Sequence, residues 1–258
     1  MDAYARVLAA RAARRPTASQ YLSHLVTDFV ELHGDRRYAD DPAVIGGIGR
    51  IGGRAVTVIA LERGRDTADK VHRNFGSAHP EGYRKALRLM QQAEKFHRPI
   101  FCLVDTAGAF CGTDAEARGQ GQAIAESLYT LSQLQTPILS LLIGEGGSGG
   151  ALALALSDRV WMMENAVYSV ISPEGCASIL WKDATRAEEA SACLKLTAQE
   201  LFAFGVCERV FPEAEDFATV YPVLREALCL TFDQLCELDV PTLLQRRYDR
   251  FRRIGATT

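Results

Sequence analysis

At 258 residues the chain is long enough for one large α/β domain, with or without helical extensions, and for a core that needs neither metal nor disulfide. Its 48% hydrophobic and 24% charged residues are those of an ordinary globular protein, which excludes a disordered or fibrous chain. A net charge of −3 gives no global attraction to nucleic acid, so any basic site must be local.

No apolar run reaches the length of a membrane span. The seven cysteines, Cys102, Cys111, Cys176, Cys193, Cys207, Cys229 and Cys236, are odd in number and include no CxxC pair. They are expected to be reduced, mostly buried thiols of a cytoplasmic protein, with no zinc site in this chain. The opening MDAYARVLAARAARR is Arg-rich and acid-poor. An organellar presequence is one reading; low Ser and Thr content favours a short Ala-rich helix packed on the domain.

After the break at Pro16 to Ser19, the spacing of Tyr21, Leu25, Phe29 and Leu32 predicts a helix over 20–33. A polar loop follows at 34–42, and 44–61 reads as two β-strands around the Gly52-Gly53 turn. The stretch Arg63 to Arg98 carries nine Lys or Arg against four acids. Such an excess suits an anionic ligand, an acidic partner subunit or a solvated face. Within it, 80–96 has the apolar stripe of a helix, and 116–134 has another. Between these, PIFCLVDTAGAFCG and PILSLLIGEGGSGG each open on proline, run through a buried strand and end in a glycine turn, 38 residues apart. Strands are expected at 159–163 and 167–171. Ser172-Pro173-Glu174 then caps a helix to about Trp181. Residues 185–204 read as helix, 206–211 as a short strand and 217 onward as helix again. The basic tail, 246–255, is expected to fray into solvent or onto a partner.

The segment LLIGEGGSGGALALALS is a strand, a turn with five glycines in seven residues, and a helix start. Glycine permits positive φ and close approach to the main chain, and the first helical N–H groups lack intrahelical partners. Such a turn can hold an anion. A P-loop is excluded, because no lysine occurs between Lys95 and Lys182. Gly144, Gly146 and Gly149 satisfy GxGxxG, with Glu164 twenty residues on, so a dinucleotide fingerprint is one reading. An oxyanion hole formed by the N–H groups of Gly149 and Gly150 is another, and a tight packing turn a third.

A hairpin followed by strand, glycine turn and helix units resembles the crotonase spiral of repeated ββα units. Here it would carry a helical extension at 1–33, a core at 34–212 and a C-terminal helical segment at 213–258. More specifically, GDRRYADDPAVIGGIGRIGGR, GRDTADKVHRNFGSAHPEGYRKALRLM, VDTAGAFCG, IGEGGSGGALA and YSVISPEGCASILWK resemble the carboxyltransferase α subunits of bacterial acetyl-CoA carboxylase. The likeness is close over 18–182 and looser beyond it.

The resemblance implies a biotin-dependent acyl-CoA carboxyltransferase half, active only with a zinc-bearing β-type subunit, as an α2β2 assembly. Biotin would arrive on a separate carrier protein, since the chain has no Met-Lys-Met biotinylation site. By motif match, Gly149 and Gly150 would donate to the ureido oxygen of biotin while the carboxyl group passes to an acyl-CoA enolate, giving malonyl-CoA or a related product. Gly146, Gly147, Ser148, Gly108 and Ala109 would shape the cofactor site. Substrate and cofactor would do the acid and base work, in keeping with the lack of a Ser-His-Asp or Cys-His grouping. Gly150→Val is then expected to stop transfer with the fold largely intact. The family phrase DTPGAYPG is DTAGAFCG here, and the segment after Phe211 departs from the family, which bears on partner contacts and acyl substrate. A biotin-independent crotonase-type decarboxylase or thioester enzyme, or a non-catalytic partner, is the alternative. Of the other residues, Cys176 reads as packing rather than nucleophile, Asp105 as a turn cap, and the five histidines as surface or loop residues without metal spacing.

Overall fold

The apolar runs in the middle of the chain build an eight-stranded sheet on which the other elements are placed. In the computed structural model, which describes residues 1–256, the chain opens with helices α1 (Ala3–Ala10) and α2 (Ala18–Leu25). Strand β1 (Thr27–Glu31) and the hairpin β2 (Val44–Ile51) and β3 (Arg54–Leu61) follow. Then come α3 (Thr67–His72), α4 (Pro80–Lys95), β4 (Ile100–Thr106), α5 (Thr113–Ala117), α6 (Gln120–Gln133), β5 (Ile138–Gly147) and α7 (Ser148–Ala155). The last third holds β6 (Arg159–Met163), β7 (Val167–Ser169), α8 (Pro173–Trp181), α9 (Ala187–Leu194), α10 (Ala198–Ala203), β8 (Arg209–Phe211), α11 (Val220–Cys236) and α12 (Val240–Arg253).

The strand order is β1-β2-β3-β4-β5-β6-β8, antiparallel as far as β3 and parallel from there on. Every residue of β4 is buried and so are the first nine of β5, which is why these central strands read as unbroken apolar runs. Strand β5 is long enough to serve two neighbours. Its first half pairs with β6, from Leu139↔Arg159, and its end pairs with β7, from Glu145↔Val167 to Gly147↔Ser169. Gly144, Gly146 and Gly147, expected in a turn, are instead the end of β5 itself, between the tip of β4 on one side and β7 on the other, and α7 follows directly at Ser148.

Several local expectations change. The helix over 20–33 stops at Leu25, and Thr27–Glu31 is the edge strand, with Val30 opposite Ile48. Its residues are exposed or half-buried, so it carries no alternating pattern to betray it. The helix over 116–134 is split at Gly119 (φ 83), and that over 185–204 at Lys195 (φ 53). Three cysteines are buried (Cys102, Cys176, Cys207), Cys229 is half-buried and three are exposed, so most are not core thiols.

The basic tail does not fray. It is part of α12, and Arg247 is 2% exposed. Its guanidinium meets both oxygens of Asp158 at 2.8 Å and donates to the carbonyls of Leu131, Leu134 and Thr136. Arg250 is buried as well, against Glu208 and the Val206 carbonyl. At the other end of the chain, Arg6 pairs with Glu164 and Arg15 with Glu213, so these N-terminal arginines anchor their segment to the domain.

Candidate active site

The turn after β5 owes its shape to contact with the turn after β4. Thr106 pairs with Gly146, and a Cβ on Gly147 would collide with the Ala107 carbonyl. A Cβ on Gly150 would lie 2.5 Å from the Ala109 nitrogen and 2.9 Å from the Tyr83 hydroxyl oxygen. Glycine is required at both positions because backbone packs on backbone. The residue in the left-handed region is Ser148 (φ 50), an exposed non-glycine that turns the chain from strand into helix. All seven residues expected at the site, Gly108, Ala109, Gly146, Gly147, Ser148, Gly149 and Gly150, are brought together by these two turns.

Gly149 differs from its neighbour. A Cβ there meets nothing closer than Ile124 at 3.6 Å. The two residues lie in the first turn of α7, where N–H groups have no acceptor within the helix. Among the described residues neither N–H donates to an acceptor outside the helix. Two free donors at the positive end of a helix suit an oxygen that gains negative charge. The expectation for Gly150→Val needs correction. Its side chain would be driven into the Gly108-Ala109 backbone, so the substitution perturbs packing before it can report on chemistry.

Four charges lie behind the turn. Glu145 is 8% exposed and is held by Arg11, 2.7 Å from its Oε1, and by Arg63 at its Oε2. Asp105 accepts the Glu145 N–H at 2.9 Å and faces Arg63 at 3.8 Å. Burial pushes the Asp105 carboxyl above its ordinary range despite that cation. Burial opposes the charge on Arg11, but its hydrogen bonds to Glu174 and Glu145 outweigh this and raise its pKa. Asp105 does not cap its own turn as expected: it accepts from Glu145 on β5, and Thr106 Oγ1 accepts the Gly108 N–H at 3.1 Å in the turn after β4. The part of Glu145, Arg11 and Arg63 in fixing the end of β5 was not legible, since the partners lie 134 and 82 residues from Glu145.

In front of α7 opens an apolar cavity of about 370 Å³, within the range of roughly 300–1,000 Å³ usual for small-molecule sites. Ser148, Gly149 and Leu152 form one wall, Tyr168 to Val170 another, and Arg250, Phe251 and Ile254 of the C-terminal segment a third. Burial raises the Tyr168 phenol to about 12 against the pull of Arg250, so it is a hydroxyl at neutral pH. Of the seven expected site residues only Ser148 and Gly149 line this cavity; Gly146 and Gly147 line a second, smaller pocket with Arg11 and Glu145, and Gly108, Ala109 and Gly150 line neither.

The remaining candidates take structural places. Cys176 packs against Ala177 and Ala190. His79 stacks on Phe110 with ring centroids 4.0 Å apart, a contact that needs the ring of Phe110 and no phenolic hydroxyl. His24 stacks on Tyr221, and His33 meets Asp40 at 2.9 Å. The basic stretch 63–98 is largely engaged within the chain, through Arg63, Arg73 with Asp69, Arg84 with Asp35, and Lys85 with Asp40. Among the described residues no group of three His, Cys, Asp or Glu is placed to hold a metal, and no helix is long and apolar enough to cross a membrane.

Known proteins agree with this architecture. The family model described as acetyl co-enzyme A carboxylase carboxyltransferase-like matches residues 1–255. The acetyl-coenzyme A carboxylase carboxyl transferase subunit alpha of Ruminiclostridium cellulolyticum is 56% identical over 259 residues, covering 100% of both chains. The beta/alpha carboxyl transferase protein of Clostridium tetani is 48% identical over 260 residues, and the chain spans only 45% of that protein's length. Among solved structures, transcarboxylase 12S superposes with a TM-score of 0.67 at 20% identity, over 83% of this chain and 42% of that one. The Pseudomonas malonate decarboxylase MdcD-MdcE heterodimer gives 0.59 at 19% identity, over 82% of this chain and 90% of that one. These distant likenesses bear on the fold alone, which is the crotonase type. From its match over nearly the whole length to a family model and to full-length relatives, the chain belongs to the carboxyltransferase alpha subunits of acetyl-CoA carboxylase.

Proposed function

We propose that this chain forms the biotin-side half of an acetyl-CoA carboxylase carboxyltransferase, and that the N–H groups of Gly149 and Gly150 donate to the ureido oxygen of biotin. The observation that carries the reading is the pair of unpartnered donors at the start of α7, with Gly149 in the wall of an apolar cavity. The double ring of biotin fits such a cavity, because its apolar sulfur-bearing side meets Leu152, Val170 and Phe251 while the oxygen of its polar ureido edge faces the start of α7 at Gly149. Carboxybiotin, once bound, supplies the carboxyl group and a ring nitrogen that takes the proton from the acyl methyl. The chain's own part is to bind the ring, keep water out of the cavity and hold two fixed dipoles where negative charge gathers. Each such donor contributes about 2.7–4 kcal/mol to lowering a barrier.

The acyl-CoA pocket and the zinc belong, in this reading, to a β-type partner, with two copies of each chain in the assembly. Support comes from relatives in which the beta and alpha parts are one polypeptide, such as that of Clostridium tetani. The biotin group comes on a separate carrier protein. The test is carboxyl transfer in the biotin-directed reverse direction, from malonyl-CoA to free biotin, with this chain alone and with the β-type partner. Turnover only with the partner is expected. Loss of carbon dioxide from malonyl-CoA by the chain alone, without biotin, would overturn the reading in favour of a decarboxylase.

A further inference from the structure

Three arginines of α12 have no part in the site described so far. Arg247 and Arg250 are buried and paired, whereas Arg246, Arg252 and Arg253 are exposed. Arg253 donates to the Asp249 carbonyl at 3.3 Å, and among the described residues Arg246 and Arg252 have no ion-pair partner within 4.0 Å. All three line one cleft of about 740 Å³ together with Arg159 and Arg250. Its acids are Glu208, already engaged by Arg250, and Asp249, which leaves three net positive charges in a chain whose formal charge is −3.

Cations in the last turn of a helix stabilise its negative end, which accounts for Arg252 and Arg253 by themselves. It does not account for Arg246, a turn and a half earlier, nor for Arg159, which enters the same cleft from the start of β6. Position supplies the second observation. Arg250 lines both this cleft and the apolar cavity that reaches Gly149, so a charged mouth adjoins an apolar interior.

We propose that the arginine cleft docks an acidic face of the protein domain that carries biotin, beside the opening through which the ring enters the cavity. The proposal rests on the reading of that cavity as the biotin site. A small prosthetic group on a long arm needs its carrier held at the mouth and not at the donors. Complementary charge there raises the encounter rate and makes it sensitive to salt. Biotin methyl ester, whose side chain carries no charge, has no such acidic face and gains nothing from the cleft.

The experiment compares two acceptors in the purified complex of this chain with its β-type partner: the biotinylated carrier domain and biotin methyl ester, each with malonyl-CoA as donor. In the triple variant Arg246→Glu, Arg252→Glu, Arg253→Glu, kcat/KM for the carrier domain is expected to fall about tenfold or more at low ionic strength, with kcat/KM for biotin methyl ester within about twofold of the parent. The matching triple Gln variant is expected to fall between the two, and the salt dependence of the carrier reaction is expected to flatten in both variants. An equal loss with both acceptors, or no loss with the carrier, would overturn the docking proposal. Absence of turnover with either acceptor in the unmodified complex would overturn the biotin reading, and the proposal with it.

Discussion

Adjacent glycines in the turn do different work. Gly150 is needed where α7 packs on the backbone of Gly108 and Ala109, with only 2.5 Å between an added Cβ and the Ala109 nitrogen. Gly150→Ala therefore forces a shift in a packed region, at a cost of about 1–3 kcal/mol. With about 2–4 °C lost per kcal/mol in a domain of this size, the midpoint of thermal unfolding should drop by several degrees. An unchanged midpoint would show that the turn gives way freely. The GEGGSGG phrase marks the site in the sequence, yet it does not say which glycine is structural. It also suggests that positive φ falls on a glycine, whereas Ser148 adopts it. The charge on Glu145 is similarly opaque from sequence, because its meaning depends on Arg11 and Arg63 arriving from distant segments.

At the scale of elements, two anchors are testable. Strand β5 begins where Asp158 accepts the Ile138 N–H at 2.7 Å, and α12 is tied to the same carboxylate through Arg247. Arg247→Met leaves Asp158 charged and buried beside three unpaired carbonyls. Breaking a buried pair on one side costs about 3–5 kcal/mol, so the unfolding midpoint should fall on the order of 10 °C. A fall of a degree or two would mean that α12 is only loosely docked.

The loop before β2 is pinned to α4 by Asp35 with Arg84 and by Asp40 with Lys85. Burial pushes the Asp40 carboxyl up, but Lys85, the Gly34 N–H and His33 together bring it down to about 2. An unfolded aspartate titrates near 3.9, so Asp40 contributes stability that is fully present above about pH 4 and is lost as the pH falls toward 2. In Lys85→Met the Asp40 titration, followed by NMR, should move up toward the ordinary range. A titration that stays near 2 would assign the shift to the other partners.

For the molecule as a whole, the sequence reveals the hairpin, the two central strands, α4, α8 and the strand-to-helix junction at the clustered glycines, because each has a local signal, although Gly144, Gly146 and Gly147 lie in β5 and not in a turn. Alternation, unbroken apolar runs, a proline at the first helical position and clustered glycine are all properties of a few adjacent residues. Edge strand β1 was hidden because Tyr21, Leu25, Phe29 and Leu32 are spaced for a helix, while its pairing with β2 is a long-range fact. The docking of α12 was hidden because a run of arginines normally faces water, and only Asp158 with three carbonyls makes burial of Arg247 tolerable. The cavity in front of Gly149 is likewise assembled from β7, α10 and the C-terminal segment, which no local pattern brings together.

The most direct test of the central claim removes one donor. Gly149→Pro deletes a single N–H in the first turn of α7 and also presses on Ser148, whose φ of 50 is disfavoured before proline, so its rate is read only where assembly and unfolding midpoint match the alanine variant; Gly149→Ala keeps that N–H, with its Cβ in ordinary contact with Ile124. Both are to be compared in the complex with the β-type partner, by kcat for transfer from malonyl-CoA to biotin, with assembly and unfolding midpoint measured alongside. The proline variant is expected to turn over about 100-fold or more slower than the alanine variant in complexes of similar stability. Equal rates in the two would contradict it, and would place the stabilisation of the reacting oxygen elsewhere.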